Sequence, residues 1–570
     1  MTINDKIKTE IVNLLKKQKV NIKVEDLETP PSAEMGDWAL PCFNLAKEYK
    51  RAPQEIAKDF AQNLKPGGLI INFKNIGPYL NFGIDSSQVA EMVLKEISKS
   101  KSKYGQSKIG KGQKVMIEYG QANTHKEFHV GHLRNVCIGS ALVNIYKNFS
   151  YKVVVANYPG DTGSHVAKTL WYYINFLTET DFPAEPKDRG EFLGQIYTRA
   201  VAKMAENDDY KFQVADVLKG LEAGDRKLLA LWQQTRQWSL DQFKAIFKEL
   251  GAKFDIYYFE SIEEKEGKKL VPKLSKYNFI KKSEGAVIAD LEKYNLGVLV
   301  LVRQDGTALY GIKDIPLAIK KFKKYKLAKS LYVVDSRQTQ YLKQIFKILE
   351  LMGFKKEMIH VPYEFVELKS GIISSRTGNI VTYEEVREAA LAKVIKETKE
   401  RHPDWQDKKI NEVSLKIVLA ALKFGMLKSG NDKVITFDIN EALDFNGFTG
   451  PYLQYTLARI NSIFRKLESR KFIKYKVDYK NLAAPIEIKL LKDLAEYPAK
   501  VLESLNLNDP SLLAQYLFKL SQDFNAFYHE LPVLQAKIDV QAARLELLNG
   551  IRQVLVNGLN LLGLPLLEEM

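Results

Sequence analysis

The 570-residue chain holds only two cysteines, Cys42 and Cys137. Two thiols cannot build the disulfide framework of a small secreted domain or a four-cysteine zinc site. No run approaches the ~20 apolar residues that cross a bilayer, so no membrane partner is expected. The opening Met1-Thr2-Ile3-Asn4-Asp5-Lys6 carries no apolar core of the signal-peptide kind. The cytoplasm is the expected compartment. No long internal repeat is present.

What the chain does have is ordinary globular composition, 45% hydrophobic and 27% charged, and length for three or four domains. Eighty-five basic residues against 69 acidic leave a net charge of +16. That excess suits a polyanionic partner, RNA above all, with a merely solvated lysine-rich face as the equal alternative.

Residues 1–105 read as a small α+β domain. Two helical patterns end near Gln62-Asn63-Leu64, the second opening at Ala52-Pro53, and strand-like runs follow at Leu69–Phe73 and Tyr79–Phe82. Polar Ser98–Gly112 reads as a linker. From 106 to 440 the order is that of a doubly wound parallel sheet, a Rossmann-like α/β catalytic domain. Strand Val115–Tyr119 precedes helix His132–Phe149 and strand Lys152–Asn157. A charged stretch, 181–284, is expected to form helical insertions. The alternation is then expected to resume: strand Leu299–Arg303, a turn at Asp305-Gly306, Ala308–Tyr310, and a helix near Asp314–Lys321. Strand Leu331–Val334, helix Thr339–Met352, strands Met358–Pro362 and Tyr363–Leu368, loop Ser370–Asn379 and a helix from about Tyr383 complete it. Residues 441–570 are leucine-rich and expected to be all-α. Leu548, Ile551, Leu555, Leu559 and Leu562 hold one helical face. Arg465-Lys466 and Arg470-Lys471 suit RNA binding there, with an oligomerisation bundle as the alternative.

The most informative segment is Ala122-Asn123-Thr124-His125-Lys126-Glu127-Phe128-His129-Val130-Gly131-His132. It lies where a strand hands over to a helix, whose first N–H groups and dipole favour phosphate. His129 and His132 add imidazole donors, and Gly131 admits a bulky ligand close to the backbone. Such chemistry suits a nucleoside triphosphate losing pyrophosphate. Elsewhere Glu118, Asn123, Tyr310, Asp314 and Gln338 fall at strand-to-helix turns. A doubly wound sheet would gather these at one rim, where two carboxylates, a phenol and amides would suit a guanidinium.

The His129-to-His132 stretch resembles the His-Ile-Gly-His signature of class I aminoacyl-tRNA synthetases. Glu118 through Asn135 is similar to the arginyl-tRNA synthetase form. Gly371–Asn379 resembles that family's Lys-Met-Ser-Lys-Ser loop, with Ile372 in place of its first lysine. Asn157–Gly163 resembles its Gly-Asp-Trp-Gly turn, with Thr162 for tryptophan and His165 for glutamine. Gly450–Tyr455 with Arg459, Gly36–Ala39 and Gly77–Phe82 extend the likeness almost end to end.

The resemblance implies ATP-dependent ligation of L-arginine to its tRNA through an arginyl-adenylate, by a monomer. ATP, with Mg2+ accompanying it, would be a substrate, and no protein-bound zinc is implied. Glu118, Tyr310 and Asp314 would hold the guanidinium, and Asn123 and Gln338 the amino-acid end. His129, Gly131, His132, Ser374 and Ser375 would bind ATP. Lys126 would replace the missing loop lysine as the cation for the departing phosphates, with Lys369 and Arg376 as competitors. Tyr79, Asn81, Phe82, Tyr452, Gln454 and Arg459 would touch tRNA. Three alternatives are a nucleotidyltransferase without tRNA, a catalytically impaired synthetase-like RNA-binding protein, and a zinc protein using His125, His129 and His132.

Overall fold

The computed structural model describes residues 3–304, 309–369, 371–372, 381–468 and 477–570. The expected turn at Asp305-Gly306, most of the loop Ser370–Asn379 and basic Arg470-Lys471 lie outside the described residues, as does the side chain of Tyr310.

Helix α1 (Ile3–Lys17) buries Ile3, Ile7, Ile11 and Leu15, a clean i, i+4 stripe. Strand β1 (Trp38–Pro41), helices α2 (Phe43–Tyr49) and α3 (Pro53–Asn63), strands β2 (Ile70–Ile76) and β3 (Tyr79–Ile84), and helix α4 (Ser86–Ser100) complete the N-terminal part. The three strands form an antiparallel sheet in the order β1-β3-β2. The expected linker after Ser98 is anchored instead. Tyr104 is buried and stacks on Tyr497, its hydroxyl donating to the Leu494 carbonyl at 2.9 Å. Asn557 donates to the Lys101 carbonyl at 3.0 Å. The polar residues that suggested a linker bond to another part of the protein.

The central part begins with strand β4 (Lys114–Glu118), helix α5 (Val130–Asn148), strand β5 (Lys152–Asn157) and helix α6 (Ser164–Phe176). Helices α7 (Arg189–Met204), α8 (Asp209–Ala223) and α9 (Arg226–Glu249) follow, then strand β6 (Ile256–Tyr257) and helices α10 (Glu260–Lys268) and α11 (Val271–Leu274). The 181–284 stretch is thus mostly helical, but β6 pairs in parallel with β5. Strands β7 (Ile280–Ser283), β8 (Ala286–Asp290) and β9 (Val298–Val302) make a separate antiparallel sheet. The run at Leu299 therefore does not resume the parallel sheet, as the periodicity suggested. A β-branched run shows that a strand forms, but not which sheet it joins.

Helix α12 (Tyr310–Tyr325), strand β10 (Lys329–Asp335), helix α13 (Thr339–Leu351) and strand β11 (Glu357–Tyr363) return to the main sheet. Tyr310 opens a helix rather than ending a strand. The five parallel strands run β11-β10-β4-β5-β6. Chain order reverses between β4 and β10, which leaves a crevice at their carboxyl ends. Strands β12 (Val366–Leu368) and β13 (Gly371–Ile372) precede helices α14 (Tyr383–Arg401) and α15 (Asp407–Leu427), and strand β14 (Ile435–Phe437) pairs with β12. Helices α16 (Ile439–Ala442), α17 (Gly450–Glu468), α18 (Pro485–Leu507), α19 (Ser511–Glu530) and α20 (Ile538–Leu562) form the helical C-terminal part. Helix α15 packs on α17 and on α5, and α20 packs on α4 and α5, so one apolar core joins the N-terminal, sheet and C-terminal parts.

One buried cation fixes the site's supporting frame. Arg134 on α5 is fully buried and donates to the carbonyls of Glu364 (2.5 Å), Lys433 (2.8 Å) and Gly430 (3.1 Å). It ties α5 to both segments that lead into the β12–β14 pair. Arg134→Leu leaves those carbonyls without their donor, and charged hydrogen bonds are individually strong. Loss of about 3 kcal/mol is expected in urea unfolding; an unchanged midpoint would show that the carbonyls find other partners.

Candidate active site

The crevice is a cavity of about 540 Å3. Glu118, Asn123, Lys126, His129, Gly131, His132, Asp314 and Gln338 all line it. Residues spread over 220 positions of sequence therefore meet in one place. Ser374, Ser375 and Arg376 lie outside the described residues.

His129 caps α5 in extended backbone (φ −111°, ψ 170°). The Gly131 N–H donates to His129 Nδ1 at 3.1 Å, and the His129 N–H donates to His132 Nδ1 at 3.2 Å. A ring nitrogen that accepts carries no proton, so each neutral ring holds its hydrogen on Nε2. The two rings stack with centres 3.8 Å apart. Burial, then the Lys126 charge, pushes His129 down to about 4. Burial, then His129, holds His132 well below the usual imidazole range. The pair is thus a set of neutral donors, not cations. Gly131 is required here because a Cβ would lie 2.9 Å from His129 Cε1. The loop is also tied to α14, since the Tyr383 N–H donates to the Phe128 carbonyl at 2.8 Å.

His125 is engaged elsewhere. Its ring nitrogens lie 2.9 Å from Thr124 Oγ1 and 2.8 Å from Thr235 Oγ1, and the residue is fully buried. The three-histidine metal set is therefore not assembled, because His125 is spent on hydroxyls. Lys126 has its Nζ 5.0 Å from the Tyr197 ring centre on α7. Burial, then Lys168, lowers its ammonium from the ordinary range. Its competitor Lys369 is paired with Glu441 (2.8 Å) and Asp438 (3.1 Å).

At the other end of the cavity Asp314 accepts from the Tyr341 hydroxyl at 2.5 Å. Burial outweighs that bond and pushes the carboxyl up to about 6. Glu260, on α10, is raised to about 7, chiefly by burial and against the nearby Lys313 at 3.6 Å. Glu118 is not free as expected, because it is paired with the buried ammonium of Lys321. Asn123 packs against Gly160, where a Cβ would meet its amide oxygen at 2.2 Å. That close approach explains the glycine in the turn. Asp161 beside it is fully buried, bonding Arg236 (2.8 Å) and Ser261. Trp232 Nε1 donates to the Asp161 carbonyl at 2.8 Å, so α9 is locked to this turn. His165, half-buried nearby, has Nε2 3.4 Å from the Gly160 carbonyl, and desolvation pushes it down to about 4.

Sequence reasoning missed Lys321, Tyr341, Tyr158, Tyr197 and Arg337, which also line the cavity. One signal was available: Lys321 stands two helical turns after Asp314 and so shares its face.

The expected tRNA contacts divide. Asn81 and Phe82 are buried within β3, and Gln454 is fully buried, donating to the Pro565 carbonyl at 2.8 Å and the Lys416 carbonyl at 3.2 Å. These three hold the core together and cannot reach a surface ligand. Tyr79 is half-buried, edge-on to exposed Phe43. Tyr452 is half-buried and accepts from Asn525 at 2.8 Å. Arg459 lies between the rings of Tyr455 and Tyr528, beside a cavity of about 810 Å3 that Arg465 and Lys466 also line.

A family described as tRNA synthetases class I (R), catalytic domain, matches residues 93–438. DALR anticodon binding domain matches 453–570, and Arginyl tRNA synthetase N terminal domain matches 1–84. The chain is 36% identical to arginine–tRNA ligase of Bdellovibrio bacteriovorus, covering 95% of this chain and 94% of the relative. It is 34% identical to that of Clostridioides difficile, with 99% of each covered. The structure superposes on Thermus thermophilus arginyl-tRNA synthetase with a TM-score of 0.80 at 28% identity, over the whole of both chains.

The imidazole pair sets a test. Both rings are expected to keep their hydrogens on Nε2, with no titration between pH 5 and 8 in ring-nitrogen NMR. Because the folded-state values are depressed, these groups contribute stability that is full above ~6.5, the ordinary histidine value, and is lost as pH falls toward 4. A ring titrating near 6.5 in the folded protein would contradict this.

Proposed function

The chain belongs to the class I arginyl-tRNA synthetases, and we propose that it ligates L-arginine to its tRNA through an arginyl-adenylate. The single observation that carries this reading is one cavity that joins two neutral, stacked imidazole donors at a helix N-terminus to a half-buried carboxylate, Asp314, whose surroundings raise it to about 6.

In the first step an oxygen of arginine's α-carboxylate attacks the α-phosphorus of ATP. The bond to the bridging oxygen breaks, and pyrophosphate leaves. Positioning and charge stabilisation account for most catalysis of this kind. The Nε2–H groups of His129 and His132 would donate to phosphate oxygens, with the positive end of the α5 dipole behind them. Lys126 would meet the charge that builds on the departing pyrophosphate, a donor worth roughly 2.7–4 kcal/mol. Mg2+ would enter with ATP. In the second step the 2′-hydroxyl of the terminal ribose attacks the arginyl carbonyl carbon, and AMP leaves.

Asp314 would take the guanidinium by paired N–H···O bonds, and Asn123 and Gln338 would orient the amino-acid end. Glu118 would act as the second carboxylate of the pocket, in partnership with Lys321. Tyr310 remains a candidate on its position at the start of α12. Ser374 and Ser375 would bind ATP, and Arg376 is the competitor of Lys126 for the charge on the departing phosphates. Tyr79, Tyr452 and Arg459 would meet tRNA, whose phosphates suit the net charge of +16. No helix among the described residues is long and apolar enough to cross a membrane. A cytoplasmic monomer is the proposed state.

The direct test is ATP–pyrophosphate exchange across the twenty amino acids, with and without tRNA. Exchange with arginine alone is expected, and exchange with another amino acid in its place would reject the reading. Lys126→Ala is expected to slow exchange about 10²-fold; near-normal exchange would return the role to Arg376. Asp314→Asn is expected to raise the arginine KM about 10²-fold while ATP's stays within about threefold. In the unaltered enzyme Asp314 takes up a proton near pH 6, and a guanidinium needs the carboxylate. The arginine KM is therefore expected to rise as pH falls from 7 to 5, approaching about tenfold per unit. A flat profile would remove Asp314 from the role.

A further inference from the structure

Lys321 is only 1% exposed, a rare position for an ammonium group. It pairs with Glu118. Its Nζ lies 5.6, 5.2 and 5.2 Å from the ring centres of Tyr158, Tyr258 and Tyr332. A carboxylate enclosed by aromatic faces is the kind of cage that captures an organic ammonium ligand. Here the protein's own side chain fills it. The cage opens on the substrate cavity, because Lys321, Glu118, Tyr158 and Tyr332 line that cavity together with Asp314.

The charges at this end of the cavity are distributed unevenly. Glu118 is answered by Lys321, and Glu260 faces Lys313 at 3.6 Å. Asp314 makes no ion pair among the described residues and holds only the Tyr341 hydroxyl. A guanidinium can satisfy one carboxylate through two parallel bonds while its planar charge stays spread over three nitrogens. An ammonium is a compact, strongly hydrated charge that must exchange its water for acceptors on several sides. The place that offers such acceptors is the cage, and it is taken.

We propose that Lys321 is a specificity-determining residue: its ammonium occupies the pocket's ammonium site, so a lysine substrate is refused while Asp314 stays available to the guanidinium of arginine. The proposal rests on reading the cavity as the arginine site. It makes rejection of lysine an act of occupancy, with repulsion between like charges as the discriminating element.

The test uses the full-length enzyme in tRNA-supported pyrophosphate exchange, with lysine as competitor and as substrate. For Lys321→Ala the ratio of arginine to lysine specificity is expected to fall at least about tenfold, with lysine becoming a competitive inhibitor against arginine. Ethylammonium chloride is expected to refill the cage and restore the exclusion of lysine, an effect that lost packing alone would not produce. If Lys321→Ala fails to fold, Lys321→Ser, whose hydroxyl favours water in the opened cage beside Glu118, is expected to behave in the same way. Undiminished exclusion of lysine in either folded variant, or no response to ethylammonium, would overturn the proposal. Absence of arginine-dependent exchange in the unaltered enzyme would be a separate result, directed at the underlying reading.

Discussion

The reversal of strand order between β4 and β10 is the constraint on which the site depends. Parallel strands carry their connections over the sheet faces, so only where the order reverses do two neighbouring loops part at the carboxyl edge. Glu118 ends β4 and Asp335 ends β10 on the two sides of that gap. Helix α5 begins within it. Its N-terminus and the positive end of its dipole are aimed by the sheet rather than by the signature loop itself. Arg134, deeper on the same helix, then holds the far loops against it. Displacing α5 by one residue would move His129 from its cap and break Arg134 from three carbonyls together.

Burial sets the chemistry that this gap can perform. Histidine rings exposed to water would be partly charged near neutral pH and would carry mobile protons. Half-buried at the end of α5, with both Nδ1 atoms accepting from the backbone, they become fixed donors of known direction. The same burial works oppositely on carboxyls, raising Asp314 and Glu260 toward neutrality. One end of the cavity therefore offers donors without charge, and the other offers carboxyls that ionise most readily when a cation arrives. A substrate with a cationic side chain and an anionic reacting end, lying beside a triphosphate, matches both ends at once.

Legibility in the sequence followed the range of the interactions. The handover from β4 to α5 was readable because apolar periodicity, a capping residue and a glycine all act within a few positions. The gathering of Glu118, Asn123, Asp314 and Gln338 followed from the sheet's topology. Lys321 was not legible, because a lysine in a helix ending Lys-Lys-Phe-Lys-Lys-Tyr reads as a solvated face. Its partner lies 203 residues away. Asn81, Phe82 and Gln454 misled for a related reason: they sit in stretches similar to a family whose motifs also preserve packing, and burial is not written in a motif. Likewise the β-branched run of β9 fixed a strand but not its sheet.

Two carboxylates at one end of a pocket would, without further device, attract any organic cation. An arginine enzyme built that way would bind lysine through Coulomb attraction alone, since a missing hydrogen bond costs an ammonium less than the loss of a counter-ion. Neutralising one carboxylate internally changes the comparison. The remaining site then presents one charge in a flat, two-pronged arrangement, and geometry rather than total charge decides between the two ligands. Lys321, at a depth where an unpaired ammonium would be prohibitive, is stable only because Glu118 and the three tyrosine rings surround it. The packing that stabilises that buried charge and the discrimination proposed for the substrate are thus the same set of contacts.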